Sequence, residues 1–267
     1  DARLMARWSE VTPTAAVEAV DTRTGRVVFT LPATTVQGVS FTADDRRLVV
    51  VDREGGLHVT TLADGNTVVG HGWTVSCSPN AGSAPAISLD GRRVAVWSFC
   101  GKVSVGRLDT ARPVRRYSQR GQLSGLAFDP SGTRLALSSW AGAATVLDVT
   151  TMRPVLELVG HTGGVNGVAY SPDGRYLATT STDTTLRIWN ARTGQVLQIA
   201  PDPNGPGKPS FSPDGHFIVE ANAADQIRVW DACTNCADPG ALLEESRASV
   251  VSPLTPLERA RITSLTR

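Results

Sequence analysis

The chain carries almost no net charge and few aromatic residues: 26 Lys and Arg stand against 25 Asp and Glu, and Phe, Trp and Tyr make up 6% of 267 residues. A net charge of +1 gives no broad electrostatic grip on nucleic acid or anionic lipid, so no direct nucleic-acid binding is expected. No run of about 18 apolar residues occurs, so no segment here reads as a membrane-spanning helix. There is no Gly-x-Ser-x-Gly elbow, no His-Glu-x-x-His and no Asn-x-Ser/Thr site. Gly205-Pro206-Gly207-Lys208 lacks the first glycine of a phosphate-binding loop, because Asp202 stands there. The motifs of serine hydrolases, zinc peptidases and P-loop NTPases are therefore missing. Nothing in the sequence calls for a catalytic residue, a metal or a cofactor.

What is abundant is turn-forming residue: 25 Gly and 16 Pro, with only 19% charged residues. That composition predicts many short strands joined by tight turns. Residue 1 is Asp, no basic-then-apolar leader opens the chain, and the sequence reads as a piece of something longer or a processed product. The chain also repeats itself. Tyr170-Ser171-Pro172-Asp173-Gly174 recurs 41 residues later as Phe211-Ser212-Pro213-Asp214-Gly215. Related turns stand at Phe128–Gly132 and Ile87–Gly91, and a weaker copy at Phe41–Asp45. A second phase keeps step, with Trp189-Asn190 matched by Trp230-Asp231. Between the phases lie alternating runs such as Val165-Gly167-Ala169 and Leu177-Thr179-Ser181, the period of half-buried strands. Each unit is thus read as four strands, and a period near 41 residues means a repeat architecture.

Gly160-His161, the Ser-Pro-Asp-Gly turn, Ser181-x-Asp183 and Trp189-Asn190, at this spacing, resemble a WD40 repeat. The resemblance is close over 160–198, good over 209–231 and visible only by phase elsewhere. It implies an all-β fold, a WD40-type β-propeller, covering 1–232 in units of about 1–31, 32–69, 70–117, 118–158, 159–199 and 200–232. The first unit supplies strands two to four of a blade, Leu4–Ser9, Ala16–Val20 and Arg26–Leu31, and the last stops at Asp231 after three. Six units with both ends incomplete suggest part of a seven-bladed propeller, with six-bladed closure as the alternative. Residues 233–267 form a CxxC and a helical tail, Ala241–Ala248 and Pro256–Ser264, packing on the propeller. Thr255-Pro256-Leu257-Glu258 fits a capping box.

In the WD40 pattern a His, a strand Ser or Thr, the turn Asp and the Trp form a buried hydrogen-bond chain. His161, Ser181, Asp183 and Trp189 match those places. They read as a structural network rather than a catalytic dyad, since no Ser or Cys nucleophile is placed beside them. Ala141 and Ala224 show that other units have lost it. In the unit at Gly91, Cys100 falls where Asp183 stands. Cys77 falls near the His place, which Gly70-His71 also fits, so the resemblance implies a Cys77–Cys100 disulfide. Cys233 and Cys236 read as a second, local disulfide or as two thiols. Arg112, Arg115, Arg116 and Arg120, around Tyr117, read as a solvated loop face. Trp73, in the inserted loop Gly70–Pro85, is the candidate partner contact.

The tail, from Trp230-Asp231-Ala232-Cys233-Thr234-Asn235-Cys236 to Leu254-Thr255-Pro256-Leu257-Glu258-Arg259, resembles the end of large actinobacterial proteins. Those join a WD40 propeller to a STAND-type NTPase and often a transcriptional-activator domain. The resemblance implies a non-enzymatic interaction or sensor module, a scaffold in a bacterial signalling protein, that binds protein or peptide partners. Any NTPase activity would sit upstream. Several relatives place a membrane helix before the propeller, which favours the extracytoplasmic side of an anchored protein, with a cytoplasmic regulator as the alternative. An enzyme with a site in the central channel and a structural spacer are the competing functional readings. The first strands argue against the enzyme, because Leu126, Phe128, Val165, Gly167 and Ala169 offer no acid or base.

Overall fold

Branched apolar residues alternate with Ser, Thr and Gly between the turns, a pattern that suits pleated, half-buried strands better than helix. The computed structural model describes residues 4–9, 16–32, 36–73, 84–202, 206–221, 227–232 and 249–250, and every regular element among them is a β-strand. The first sheet has three strands, β1 (Leu4–Ser9), β2 (Ala16–Asp21) and β3 (Val27–Pro32). The second holds β4 (Val36–Phe41), β5 (Arg47–Asp52), β6 (Leu57–Thr61) and β7 (Thr67–Gly70). The third holds β8 (Ala86–Ile87), β9 (Arg93–Trp97), β10 (Lys102–Arg107) and β11 (Arg112–Ser118). The fourth holds β12 (Leu123–Phe128), β13 (Arg134–Ser139), β14 (Ala144–Asp148) and β15 (Pro154–Leu158). The fifth holds β16 (Val165–Tyr170), β17 (Tyr176–Ser181), β18 (Thr185–Asn190) and β19 (Val196–Pro201). The sixth holds β20 (Lys208–Phe211), β21 (Phe217–Ala221), β22 (Ile227–Asp231) and β23 (Ser249–Val250). Strands adjacent in sequence are adjacent in each sheet and antiparallel.

The chain divides into two compact units, with described residues up to Gln119 in one and from Arg120 onward in the other. Within each unit consecutive sheets pack through their side chains. In the first, Val17, Val36, Leu48 and Val50 fill the space between sheets one and two. Val49, Leu57, Val94, Val96 and Leu108 do so between two and three. In the second unit Val146, Leu158, Val168, Leu177 and Trp189 join sheets four and five, and Ala178, Leu186, Ile188, Ile218 and Trp230 join five and six. The second strands are accordingly the buried ones: β13 and β17 are buried over all but their first residue, whereas β7 and β15 are mostly exposed.

The repeated turns have a repeated chemistry. Ser171 Oγ donates to Asp173 Oδ1 (2.6 Å) and accepts from Tyr176 N (2.9 Å), while Gly174, at φ 72°, closes the reversal. Ser212 and Asp214 repeat these bonds, as do Ser88 with Asp90 and Thr42 with Asp44. Where the strongest copies have Gly174 and Gly215, the second sheet uses Asp45 at φ 54°. An Asp tolerates that left-handed backbone better than most residues, which is why the weak copy still turns.

One expectation about the chain ends is corrected. The sixth sheet does not stop at three strands: Ser249 lies opposite Val229 and Val250 opposite Arg228. These are the places Gln198 and Ile199 hold against Ile188 and Arg187 in the fifth sheet. A two-residue strand far beyond Asp231 carries no periodicity, so nothing in the pattern announced it. Among the described residues the first sheet has three strands, and these answer to the second, third and fourth of the other sheets, because Met5 faces Val20 as Leu177 faces Trp189. The helices read at Ala241–Ala248 and Pro256–Ser264 lie outside the described residues.

Candidate functional site

Chemistry-bearing side chains gather where the last strand of one sheet hands over to the first strand of the next. Between sheets four and five the link Val159–Gly164 brings His161 against β17 and β18. Asp183 Oδ2 lies 2.9 Å from His161 Nδ1, and Thr179 Oγ1 lies 2.8 Å from His161 Nε2. Trp189 Nε1 donates to Thr179 Oγ1 at 2.7 Å. These partners fix the tautomer. Nδ1–H donates to the carboxylate, so Nε2 accepts from the Thr179 hydroxyl, which in turn accepts from the indole. Asp183 is saturated by Thr185 Oγ1 (2.6 Å), Thr185 N (3.1 Å) and Thr162 N (3.0 Å), with Arg187 Nη2 at 3.6 Å. The His161 ring meets the Trp189 ring edge-on at 5.9 Å.

The structure thus brings His161, Asp183 and Trp189 together, but through Thr179. Ser181 sits one pleat further on, where its Oγ accepts from Asp183 N at 3.1 Å and shapes the turn. Burial holds the His161 imidazole below the usual histidine range, against the pull of Asp183. Burial would raise the Asp183 carboxyl, but the Thr185 hydroxyl, His161 and Thr162 N–H hold it far below the usual carboxylate range. Only 1% of the His161 side chain and 5% of that of Asp183 is exposed. A base must reach the proton it abstracts, and here each ring nitrogen already faces a protein atom.

The equivalent junction between sheets two and three is built from different atoms. Gly70 pairs with Leu57 as Leu158 pairs with Ala144, which places Trp73 where the later junction has His161. Val94 pairs with Gly106 as Leu177 pairs with Trp189, so the strand tryptophan is replaced by glycine. The indole of Trp73 fills the vacated space. A Cβ on Gly106 would lie 2.8 Å from Trp73 Cη2, and Trp73 Nε1 donates to Ala111 O at 2.8 Å. Trp73 is 2% exposed, so the expectation that it is a partner contact is corrected. The insertion lies beyond it, and the ring is a core residue because Gly106 leaves room for it. His71 therefore does not hold the place of His161.

Between sheets five and six the polar groups are charged. Asp202 is paired with Arg228, and Glu220, standing where β17 has Thr179, accepts from Gly207 N. Burial raises the Glu220 carboxyl above its usual range. None of Thr179, Asp202, Glu220 or Arg228 was singled out from the sequence.

Cys100 stands where the pairing puts Asp183, and its Sγ lies 3.6 Å from Ser98 Oγ. Cys77, Cys233 and Cys236 lie outside the described residues. Arg112, Arg115 and Arg116 lie exposed on β11, with Arg120 exposed beyond it, and Arg116 Nη2 donates to Gly72 O at 2.9 Å, bracing the link to Trp73. Two large aromatic side chains of the second unit face solvent, Phe217 on β21 and Trp140. Trp140, in the turn between β13 and β14, is 40% exposed, with its ring against Gly164, and its backbone N–H donates to Gln122 O at 3.0 Å. Among the described residues no cluster of three or more His, Cys, Asp or Glu is placed to hold a metal ion, and no helix is long and apolar enough to cross a membrane.

Residues 152–190 match the family described as WD domain, G-beta repeat. An uncharacterised WD repeat-containing protein of Synechocystis is 37% identical over 127 residues, covering 45% of this chain and 35% of its own. A WD repeat-containing protein of Schistosoma mansoni is 29% identical over 154 residues, 57% of this chain and 46% of its own. Apoptotic protease-activating factor 1 of Rattus norvegicus is 32% identical over 108 residues, 40% of this chain and 9% of its own. The matched regions span less than half the length of each of these relatives. WD40 repeats generally mediate protein–protein interaction and scaffolding. With four-stranded antiparallel sheets recurring in both units, and residues 152–190 matching the WD repeat between β14 and β18, the chain has the fold class of a WD40 β-propeller.

Proposed function

We propose that the chain is a non-enzymatic protein-interaction module, a scaffold or sensor within a larger bacterial signalling or regulatory protein. The carrying observation is the closed state of its most reactive-looking constellation: His161, Thr179, Asp183 and Trp189 satisfy one another and are buried. Such a network stiffens a junction and leaves nothing for a substrate. The sensor context rests on the likeness of the tail to the actinobacterial proteins. That apoptotic protease-activating factor 1 is matched over 9% of its length supports a place within a long chain. We assign the partner contact to Trp140 in place of Trp73, since a half-exposed indole already packed against Gly164 loses little freedom when covered. Crosslinking in the native host, followed by affinity measurement with the recovered partner, tests this. Trp140→Ala should weaken binding at least about tenfold and leave the melting temperature unchanged. Unchanged affinity sinks the assignment, and turnover of ester, phosphate or glycoside substrates sinks the module reading.

The Cys77–Cys100 disulfide and an extracytoplasmic setting belong to the same proposal. That Cys100 is disulfide-bonded supports the first. Peptide mapping of unreduced protein should recover the two cysteines joined, and alkylated Cys77 would remove the pairing.

A further inference from the structure

In the fourth sheet a carboxylate stands between two arginines. Asp148, the last residue of β14, lies opposite Arg134, and its N–H donates to Arg153 O at 3.0 Å. Asp21 and Asn190 hold the same place in the first and fifth sheets. All three cap the turn that follows. Asp148 Oδ1 accepts from Thr150 N and Thr151 N, Asp21 Oδ1 from Arg23 N and Thr24 N, and Asn190 Oδ1 from Arg192 N and Thr193 N. The counterparts in the second and sixth sheets are Thr61 and Asp231. The third sheet alone has a basic residue there: Arg107 stands directly opposite Arg93 on β9 and Arg112 on β11. Residues opposite one another in an antiparallel sheet share a face, and like charges so placed oppose pairing. An arginine also cannot accept from the turn amides that Asp148 caps.

The arginine row borders a cleft of about 440 Å³ lined by Asp90, Arg92, Arg93 and Arg107. Arg47 reaches toward the same turn from β5, where its Nη2 would lie 3.9 Å from a Cβ on Gly91. Two carboxylates share the region. Asp109 Oδ1 accepts from Arg107 Nε at 3.0 Å, with both side chains more than half exposed. Asp90 Oδ1 is taken up within its own turn, by Ser88 Oγ at 2.5 Å and Arg92 N at 3.0 Å. Arg92, Arg93, Arg107 and Arg112 thus outnumber the acids two to one. A local rule broken at a cost in stability, beside a cleft, marks a binding site. We propose that this row binds a tetrahedral oxyanion of the phosphate class, held by Arg93, Arg107 and Arg112, with Arg92 closing the cleft. The planar guanidinium fork matches paired phosphate oxygens, and each bond formed is charge-assisted. The ion neutralises the row, so it relieves the repulsion as it binds. Free phosphate and a phosphorylated side chain of a partner protein present the same chemistry. The site does not depend on the partner contact at Trp140.

Calorimetric titration of the full chain with inorganic phosphate, at an ionic strength held constant with chloride, tests this. Binding should saturate at one ion per chain. Arg107→Asn, which copies the fifth sheet, should weaken it at least about tenfold. Its melting temperature without phosphate should stay level or rise, because the repulsion goes and the turn amides regain an acceptor. Arg112→Gln, at an exposed position, should weaken binding and leave the melting temperature unchanged. A short phosphoserine peptide that binds more tightly than phosphate, and stops binding once dephosphorylated, supports the site with a protein as the source of the ion. Phosphate bound as tightly as the peptide supports it with the free ion as the ligand. The absence of saturable phosphate binding overturns the proposal, as does phosphate bound with unchanged affinity by both arginine variants. Neither result touches the assignment of Trp140.

Discussion

Thr179 and Ser181 lie two residues apart on one strand, so the period-two pattern assigns both hydroxyls to the same face and cannot choose between them. Only the pairing of Leu177 with Trp189 selects Thr179, which is why His161, Asp183 and Trp189 were legible by spacing and the hydroxyl joining them was not. Energetics should separate the two. Thr179→Val strips a buried partner from both Trp189 Nε1 and His161 Nε2 and should cost about 1–3 kcal/mol in denaturant unfolding. Ser181→Ala loses one bond to a turn amide and should cost about 1 kcal/mol or less. Equal losses would return Ser181 to the network. Trp73 was misread for a different reason: the insertion after it breaks the phase by which junction positions are counted. Trp73→Ala should destabilise by about 3–5 kcal/mol and leave partner affinity, measured under folding conditions, as it was. Gly106→Ala should also destabilise, because the added methyl meets Trp73 and lies 2.0 Å from Arg112 O.

Strands were the most legible elements, since Leu4–Ser9 and the first residue of Ala16–Asp21 follow from alternation and turn placement alone. Legibility failed where an element is too short to alternate, as in β23. The turns carry more of the fold than their length suggests. Each Pro-Asp-Gly copy fixes a hydroxyl, a carboxylate and a left-handed residue in five positions. Gly174→Ala puts a Cβ at φ 72° and 3.2 Å from Pro130 Cδ, and should cost about 1–2 kcal/mol by thermal denaturation. The same change at Gly25, whose Cβ would meet nothing within 4 Å at φ 70°, should cost only the backbone part. A loss at Gly25 as large as at Gly174 would mean that the neighbouring turn adds nothing.

At the scale of the whole molecule His161 and the turn carboxylates set a pH dependence of one sign, opposed by Glu220, whose carboxyl burial raises. His161 is held below its ordinary 6.5 by burial, so it takes up a proton more readily unfolded than folded. Stability is then complete above about pH 6.5 and falls as pH drops through that range. Asp44 is held down first by the Thr42 hydroxyl and Asp214 first by that of Ser212, while at Asp173 burial is outweighed by the Ser171 hydroxyl and Arg175 N–H. Their contribution is present above the ordinary 3.8 and is lost below it. Melting temperature should therefore decline on acidification in two stages, and His161→Gln should flatten the upper one alone. An upper stage equally steep in His161→Gln and in the unaltered chain would contradict the burial assigned to His161. The tryptophans add an optical consequence. Trp73, Trp97, Trp189 and Trp230 are buried, and Trp140 is the exposed indole among those whose side chains are described. Its emission should be red-shifted and open to a collisional quencher such as acrylamide, so a partner docking on that turn would announce itself in the fluorescence of the unlabelled chain.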